Sequence, residues 1–106
     1  MKMVIHRHRW CWGIKTTIIL GGGKALCCVS VDDDDINTAW LHDLLVQEKE
    51  RGKGYGRALM AQAIKEAKRY GVKQMRLRVD ADNWVANWYG RCGFEYIGID
   101  EMIKAL

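Results

Sequence analysis

Apolar and polar positions in this chain follow two periods, and the change from one to the other outlines a fold. Residues 14–20 are rich in β-branched side chains and read as a strand. Gly21, Gly22, Gly23 and Lys24 form a hairpin turn after it, and residues 25–31 supply the partner strand. Four adjacent aspartates, Asp32 to Asp35, read as a solvated acidic loop, and residues 38–46 as a third strand. Within that strand alternation places Trp40, His42 and Leu44 on one face and Asp43 on the other. The period then lengthens. Leu59, Ala63, Ala67 and Tyr70 share one face of a helix over residues 57–70, which Gly71 ends. Met75, Leu77 and Val79 alternate with Gln74, Arg76 and Arg78, a strand with one buried face. A short helix over 85–92 and a pair of strands over 94–99 and 102–106 complete the order ββ-β-α-β-α-ββ. That order describes an α/β sandwich on a mixed sheet.

Composition suits one such domain. A chain of 106 residues supports one core, and 49% apolar residues with 28% charged argue against disorder. The net charge of +4 suits a polyphosphate, a nucleic acid or an acidic protein alike. No apolar run approaches the ~20 residues of a membrane span. The basic start of the chain leads into no apolar leader segment, so a cytoplasmic protein is expected. The four cysteines, Cys11, Cys27, Cys28 and Cys92, have neither disulfide-framework nor zinc spacing. His6 and His8 flank Arg7 without a further ligand nearby, so no metal site is expected. Cys92 reads as a small buried hydrophobe before Gly93 rather than a nucleophile.

The candidate chemistry lies between the third strand and the long helix. Arg51-Gly52-Lys53-Gly54-Tyr55-Gly56 is a glycine-rich turn opening a helix, where the first backbone N–H groups lack internal acceptors. Those donors and the helix dipole favour an anion, Gly54 and Gly56 leave no side chain in its way, and Arg51, Lys53 and Arg57 add charge. Neither a dinucleotide fingerprint nor a Walker loop fits: Arg57 or Leu59 stands where the third glycine belongs, and Lys53 precedes Gly54 rather than Ser or Thr.

The segment resembles the pyrophosphate loop of the GNAT superfamily of N-acetyltransferases, Gln/Arg-x-x-Gly-x-Gly/Ala, through Arg51, Gly54 and Gly56, after a strand ending Leu44-Leu45-Val46. A second block, residues 83–89 followed by Arg91-Cys92-Gly93-Phe94, resembles that family's Asn, helix, Tyr and Gly-Phe motif. Together the blocks cover residues 38–99. The resemblance implies a GNAT-like α/β sandwich with a mixed, mostly antiparallel sheet. It also implies acetyl-CoA as cofactor, an amine as acceptor, and a splayed strand pair that takes pantetheine on the backbone of Leu44 and Val46. Arg51, Gly52, Lys53, Gly54, Tyr55, Gly56 and Arg57 would hold the phosphates. Tyr89 matches the family's tyrosine acid, and Asn83 the residue bonding the cofactor arm. The Asn83–Tyr89 interval is one residue shorter than usual, with Asp82 at the usual position. The resemblance places catalytic bases or substrate-binding acids at the positions of Trp40 and His42, which makes His42 the candidate base; an amine with pKa near 10.4 is almost wholly protonated at pH 7, and an imidazole near 6.5 suits the transfer.

Family members usually begin with a strand and two helices that wall off the acceptor groove. Only thirteen residues precede Ile14 here, a basic arm rich in His, Arg and Trp, so the chain reads as N-terminally truncated with an open groove. An open groove suits a protein lysine or N-terminus. Trp10, Trp12, Trp40, Ile14 and Ile18 offer more apolar surface than that arm can bury, which predicts a homodimer. Two rival functions are a coenzyme A-binding module without catalysis and a nucleic-acid-binding protein using His6, Arg7, His8, Arg9, Trp10 and Trp12. The first leaves Tyr89 and His42 idle; the second leaves the glycine loop unexplained.

Overall fold

A computed structural model describes residues 2–106 and arranges them as one seven-stranded sheet with two helices. Strands β1 (Met3–Trp10), β2 (Gly13–Leu20), β3 (Ala25–Asp32) and β4 (Asp35–Val46) form an antiparallel meander. Helix α1 (Tyr55–Arg69) carries the chain across to β5 (Gln74–Arg78), the one strand that pairs in parallel with its neighbour. Helix α2 (Val85–Arg91) and the strands β6 (Glu95–Tyr96) and β7 (Glu101–Ala105) follow, and the sheet order is β1-β2-β3-β4-β5-β7-β6. The α/β fold on a mixed sheet expected from the residue pattern is the one observed, and its pairing is mostly antiparallel, as the family resemblance implies.

The helices cover one face of the sheet. Leu59, Ala63 and Ala67 of α1 are fully buried, in one cluster with Ile18, Cys27 and Val29 from β2 and β3. Ala86 and Tyr89 of α2 join that cluster over Met75 and Leu77 of β5. The strand register sends Lys15, Ser30, Trp40, His42 and Arg78 to the opposite face, which no helix among the described residues covers.

The basic arm differs from its expectation. Residues 3–10 form a full edge strand, with Met3 opposite Leu20 and Trp10 opposite Gly13. Its alternation sends Arg7 to the helical side, where the guanidinium meets Glu66 of α1 at 2.6 and 3.0 Å. Glu66 is buried, and a buried carboxylate needs such a partner. A charge on the apolar face of α1 thus ties β1, already paired along its length with β2, to the helix. Two residues counted toward exposed apolar surface also change place: Ile18 is fully buried and Ile14 half-buried, leaving Trp10 and Trp12 exposed at the β1–β2 turn.

The aspartate run is a tight turn rather than a loop, since Asp32 ends β3 and Asp35 begins β4. The final strands are shorter than their apolar pattern implied. Ile97 and Ile99 stay exposed in the bend between β6 and β7.

Candidate active site

A cleft opens where the one parallel pairing stops. β4 and β5 meet only through Thr38 with Gln74, Ala39 with Met75 and Trp40 with Arg76. Beyond Trp40, β4 runs on to Val46 with no strand on that side, so its backbone groups there face a gap. A cavity of about 230 Å³ fills the foot of the gap, lined by Trp40, Leu41, His42, Leu77, Arg78 and Tyr89, with Asp43 at its rim. A larger cavity of about 590 Å³ lies beside it on the uncovered face, bounded by Trp10, Lys15, Ser30 and Asp32. Trp40, His42, Asp43 and Arg78 line both.

A bulge in β4 sets these directions. Leu45 pairs with Leu26 and His42 with Cys28, so Asp43 and Leu44 together oppose the single residue Cys27. Asp43 takes the extra step at φ 53, a left-handed conformation that non-glycine residues seldom adopt. The bulge corrects two expectations from simple alternation. Asp43 does not turn away but joins His42 at both cavities. Leu44 leaves the Trp40 and His42 face and, with Val46, packs on the core beneath α1. Both still offer only backbone to the gap.

His42 stands at the junction. Its Nε2 lies 2.9 Å from the hydroxyl of the buried Ser30 one strand over, which steadies the ring and leaves Nδ1 for another partner. Desolvation by the cleft walls lowers its pKa from the usual value although the residue is exposed at the surface; Asp43 opposes that shift, Lys15 adds to it, Asp32 opposes it and Arg78 adds to it. His42 is therefore neutral at pH 7, as a base must be. Across the cavity Tyr89 is buried between Trp88 and Phe94, edge-on to both rings at 5.3 and 5.9 Å. Desolvation pushes its phenol up to about 12, with Cys27 and Cys92 adding smaller effects. It remains an uncharged donor. Burial raises the Cys92 thiol too, which fits a packing residue.

The glycine loop lies at the other end of the gap. Gly52 and Gly54 have φ of 79 and 89, and a β-carbon on either would meet nothing within 4 Å. The positive φ demands glycine, and the space above the loop is open. Gly54 precedes α1 as its N-cap without any side-chain cap. The first-turn amides of Tyr55, Gly56 and Arg57 thus point out of the helix start without an intrahelical acceptor. The side chains divide unevenly. Arg57 is exposed. Lys53 pairs with Glu50 at 3.1 Å, and that hydrogen bond holds the Glu50 carboxyl below its usual range. Arg51 lies 5.5 Å over the Trp84 ring and donates a long bond of 3.4 Å to the Val46 carbonyl. Tyr55 turns back onto Gly21 of the β2–β3 turn, where a β-carbon would lie 2.9 Å from its hydroxyl, so only its amide serves the loop. Gly56 lets Trp88 close on α1, since a β-carbon there would sit 3.4 Å from the indole. Asn83 lies in the turn before α2, where its Oδ1 accepts from the Val85 N–H at 3.1 Å, so its amide nitrogen is the group left free for a ligand.

A splayed strand pair, an uncapped glycine-loop helix and a buried tyrosine facing a neutral histidine agree with the match to the model of the acetyltransferase (GNAT) family, which spans residues 5–94. The chain belongs to the GNAT family. No curated protein matches it. Among solved structures it is similar to an N-acetylglutamate synthase from Neisseria gonorrhoeae complexed with coenzyme A and N-acetyl-glutamate, at 14% identity and a TM-score of 0.73. That match covers 87% of this chain and 25% of the synthase, so this chain spans about a quarter of that protein's length. It is also similar to a PaiA N-acetyltransferase from Thermoplasma acidophilum in complex with coenzyme A, at 23% identity and a TM-score of 0.71, covering 87% and 60% of the two chains. An IAA acetyltransferase from Bacillus cereus matches at 16% identity and a TM-score of 0.74, over 99% of this chain and 100% of that one. At these identities the likeness is one of fold.

Against this GNAT frame, sequence reasoning brought His42 and Tyr89 to the same cavity but missed Ser30, Asp43 and Arg78. Arg78 could have been found, since it lies on the second wall of the gap at the exposed phase of β5. Two cations of the proposed nucleic-acid arm are engaged: Arg7 by Glu66, and Arg9 by Asp33 at 2.9 Å. No helix among the described residues is long and apolar enough to cross a membrane.

Proposed function

We propose that this chain transfers an acetyl group from acetyl-CoA to a primary amine, small or carried by a protein as a lysine or N-terminus. The observation that carries the reading is the placement of His42 and Tyr89 on one cavity at the foot of the β4–β5 gap, with the glycine loop at its far end. The residues present fit the cofactor. The open cradle over Gly52 and Gly54 and the uncapped amides of α1 suit a pyrophosphate, with Arg57 and Arg51 alongside. The unpaired side of β4 at Leu44 and Val46 suits an amide-bearing arm laid in like an added strand.

Bound acetyl-CoA supplies the acyl group as a thioester. His42 accepts a proton from the substrate ammonium and passes it to solvent, since the amine must be neutral to attack. Tyr89 acts at the sulfur. With its phenol pushed to about 12 against a thiol near 8.5, full transfer from Tyr89 is uphill by roughly 5 kcal/mol. Tyr89 therefore donates a hydrogen bond to the developing negative charge, and the second amine proton completes the thiol. The test is a thermal shift with coenzyme A followed by an acetylation screen over amines and peptides, read by thiol release and product mass. Cofactor binding without turnover on any amine would return the chain to a non-catalytic coenzyme A-binding role. No binding would end the reading.

A further inference from the structure

We propose that the acceptor is a free α-amino acid, its carboxylate held by Arg78 and its amine directed to His42 and Asp43. This deepens the acetyl-transfer reading and rests on it. Arg78 is the observation that singles out the class. It belongs to both cavities, so it stands at their junction, where the reacting amine must also lie. Its guanidinium lies 5.4 Å over the Trp40 ring, a cation–π contact that leaves its N–H donors available to a ligand. Glu101 pairs with Arg78 in the β5–β7 register but gives its carboxylate to Arg76 instead, at 3.0 Å. Among the described residues no ion pair involves Arg78, Lys15, Asp32 or Asp43.

The junction therefore presents one unpaired cation with a planar fork beside one unpaired carboxylate and a neutral imidazole. An ammonium and a carboxylate borne on the same carbon meet those needs together, the carboxylate accepting from the Arg78 fork and the ammonium facing Asp43 and His42. Other amines fit worse. A polyamine sets a second cation against Arg78 and Lys15. A peptide N-terminus or a protein lysine brings no carboxylate next to its amine, leaving Arg78 unmatched. The larger cavity, at about 590 Å³, is of small-molecule size and gives the side chain room between Trp10, Lys15 and Asp32. In the reaction the amine nitrogen bonds to the thioester carbonyl carbon as the C–S bond breaks and its electron pair leaves on sulfur. One ammonium proton goes through His42 to solvent, one ends on the sulfur, and the carboxylate is unchanged.

The experiment compares free amino acids with their carboxamides, short peptides and polyamines as acceptors for the purified protein with acetyl-CoA. Amino acids should show kcat/KM at least about 10-fold above their carboxamides. Arg78→Gln should lower that value about 10- to 100-fold for the acids, the scale of a lost charge-assisted bond, and by a clearly smaller factor for the carboxamides, so that the preference for acids collapses. Arg78→Lys, which keeps the charge without the fork, should fall between. It also serves if the Gln variant fails to fold, with the coenzyme A thermal shift as the check on both. Equal use of acids and carboxamides, preference for peptides or polyamines, or an equal loss on both acceptor types overturns the proposal. So does a protein that binds coenzyme A yet acetylates no amino acid, and in those cases the cofactor reading survives. Absence of any coenzyme A shift defeats both.

Discussion

Replacing Gly54 by leucine separates backbone strain from loss of the phosphate cradle. Gly54 sits at φ 89 with open space around it, and Gly22 in the β2–β3 turn sits at φ 72 with equally open space. Leucine at either position incurs the left-handed penalty of about 1–2 kcal/mol. For a domain of this size that lowers Tm by roughly 4–8 °C per kcal/mol. The two variants should therefore lose similar stability without cofactor. They should part when coenzyme A is added. Saturation at about 100 times Kd stabilises by about 2.7 kcal/mol, or roughly 10–20 °C in Tm. A side chain over the loop removes two charge-assisted bonds from the α1 amides, roughly 1.5 kcal/mol each, weakening binding about 100-fold. The same coenzyme A concentration then contributes only about 0.4 kcal/mol. Differential scanning fluorimetry reads both quantities. A Gly54→Leu protein that keeps the full coenzyme A shift would falsify the loop assignment. A Gly22→Leu protein that also loses it would show that the effect is general instability.

Tyr89→Phe should retain coenzyme A binding and lower kcat by roughly 10²-fold, the low end for a general acid because the raised phenol pKa limits it to donation; a rate within twofold of the parent assigns the role to water. The acidic limb of kcat/KM should fall below pH 6.5, since desolvation lowers the His42 pKa and the base works only when neutral. Lys15→Gln removes a group that lowers that pKa and should move the limb to higher pH, whereas Asp32→Asn should move it lower. His42→Ala should abolish the limb, and an unchanged profile leaves His42 a structural residue. With Trp10 and Trp12 exposed at the β1–β2 turn, a homodimer packed there should show twice the chain mass in light scattering. A monomer at fully active concentrations refutes that packing.

The strands, the glycine loop and the two helices were legible because each has a local cause: alternation, positive-φ glycines, and a helix-period apolar stripe. β1 was not, because the run His6-Arg7-His8-Arg9 looks solvated until Glu66 is seen on the apolar face of α1, three residues after Ala63. That buried acid was the available signal for a distant cation. The bulge was illegible for a deeper reason. Nothing in the apolar and polar pattern of His42-Asp43-Leu44 breaks strand alternation, and although Asp tolerates the left-handed region better than most residues, a single Asp in a strand does not announce a bulge. Asp43 and Leu44 were accordingly assigned to the wrong faces. Arg78 was readable as an exposed position of β5, but its place beside Trp40 follows from the parallel β4–β5 pairing.

The short β4–β5 pairing also gives the sheet an inner edge. Past Trp40 the backbone N–H and C=O groups of β4 lie open within the molecule, and an open row of such groups is a template for any extended chain. Sheets commonly blunt their outer margins with charge, as β1 does here with Arg7 and Arg9. The inner margin carries Asp43, yet the backbone row of β4 past Trp40 has no strand paired on that side. Occupancy therefore doubles as protection against aggregation. Cofactor-free protein should be the form that self-associates on warming, and expression in cells should follow the supply of the small molecule that closes the gap.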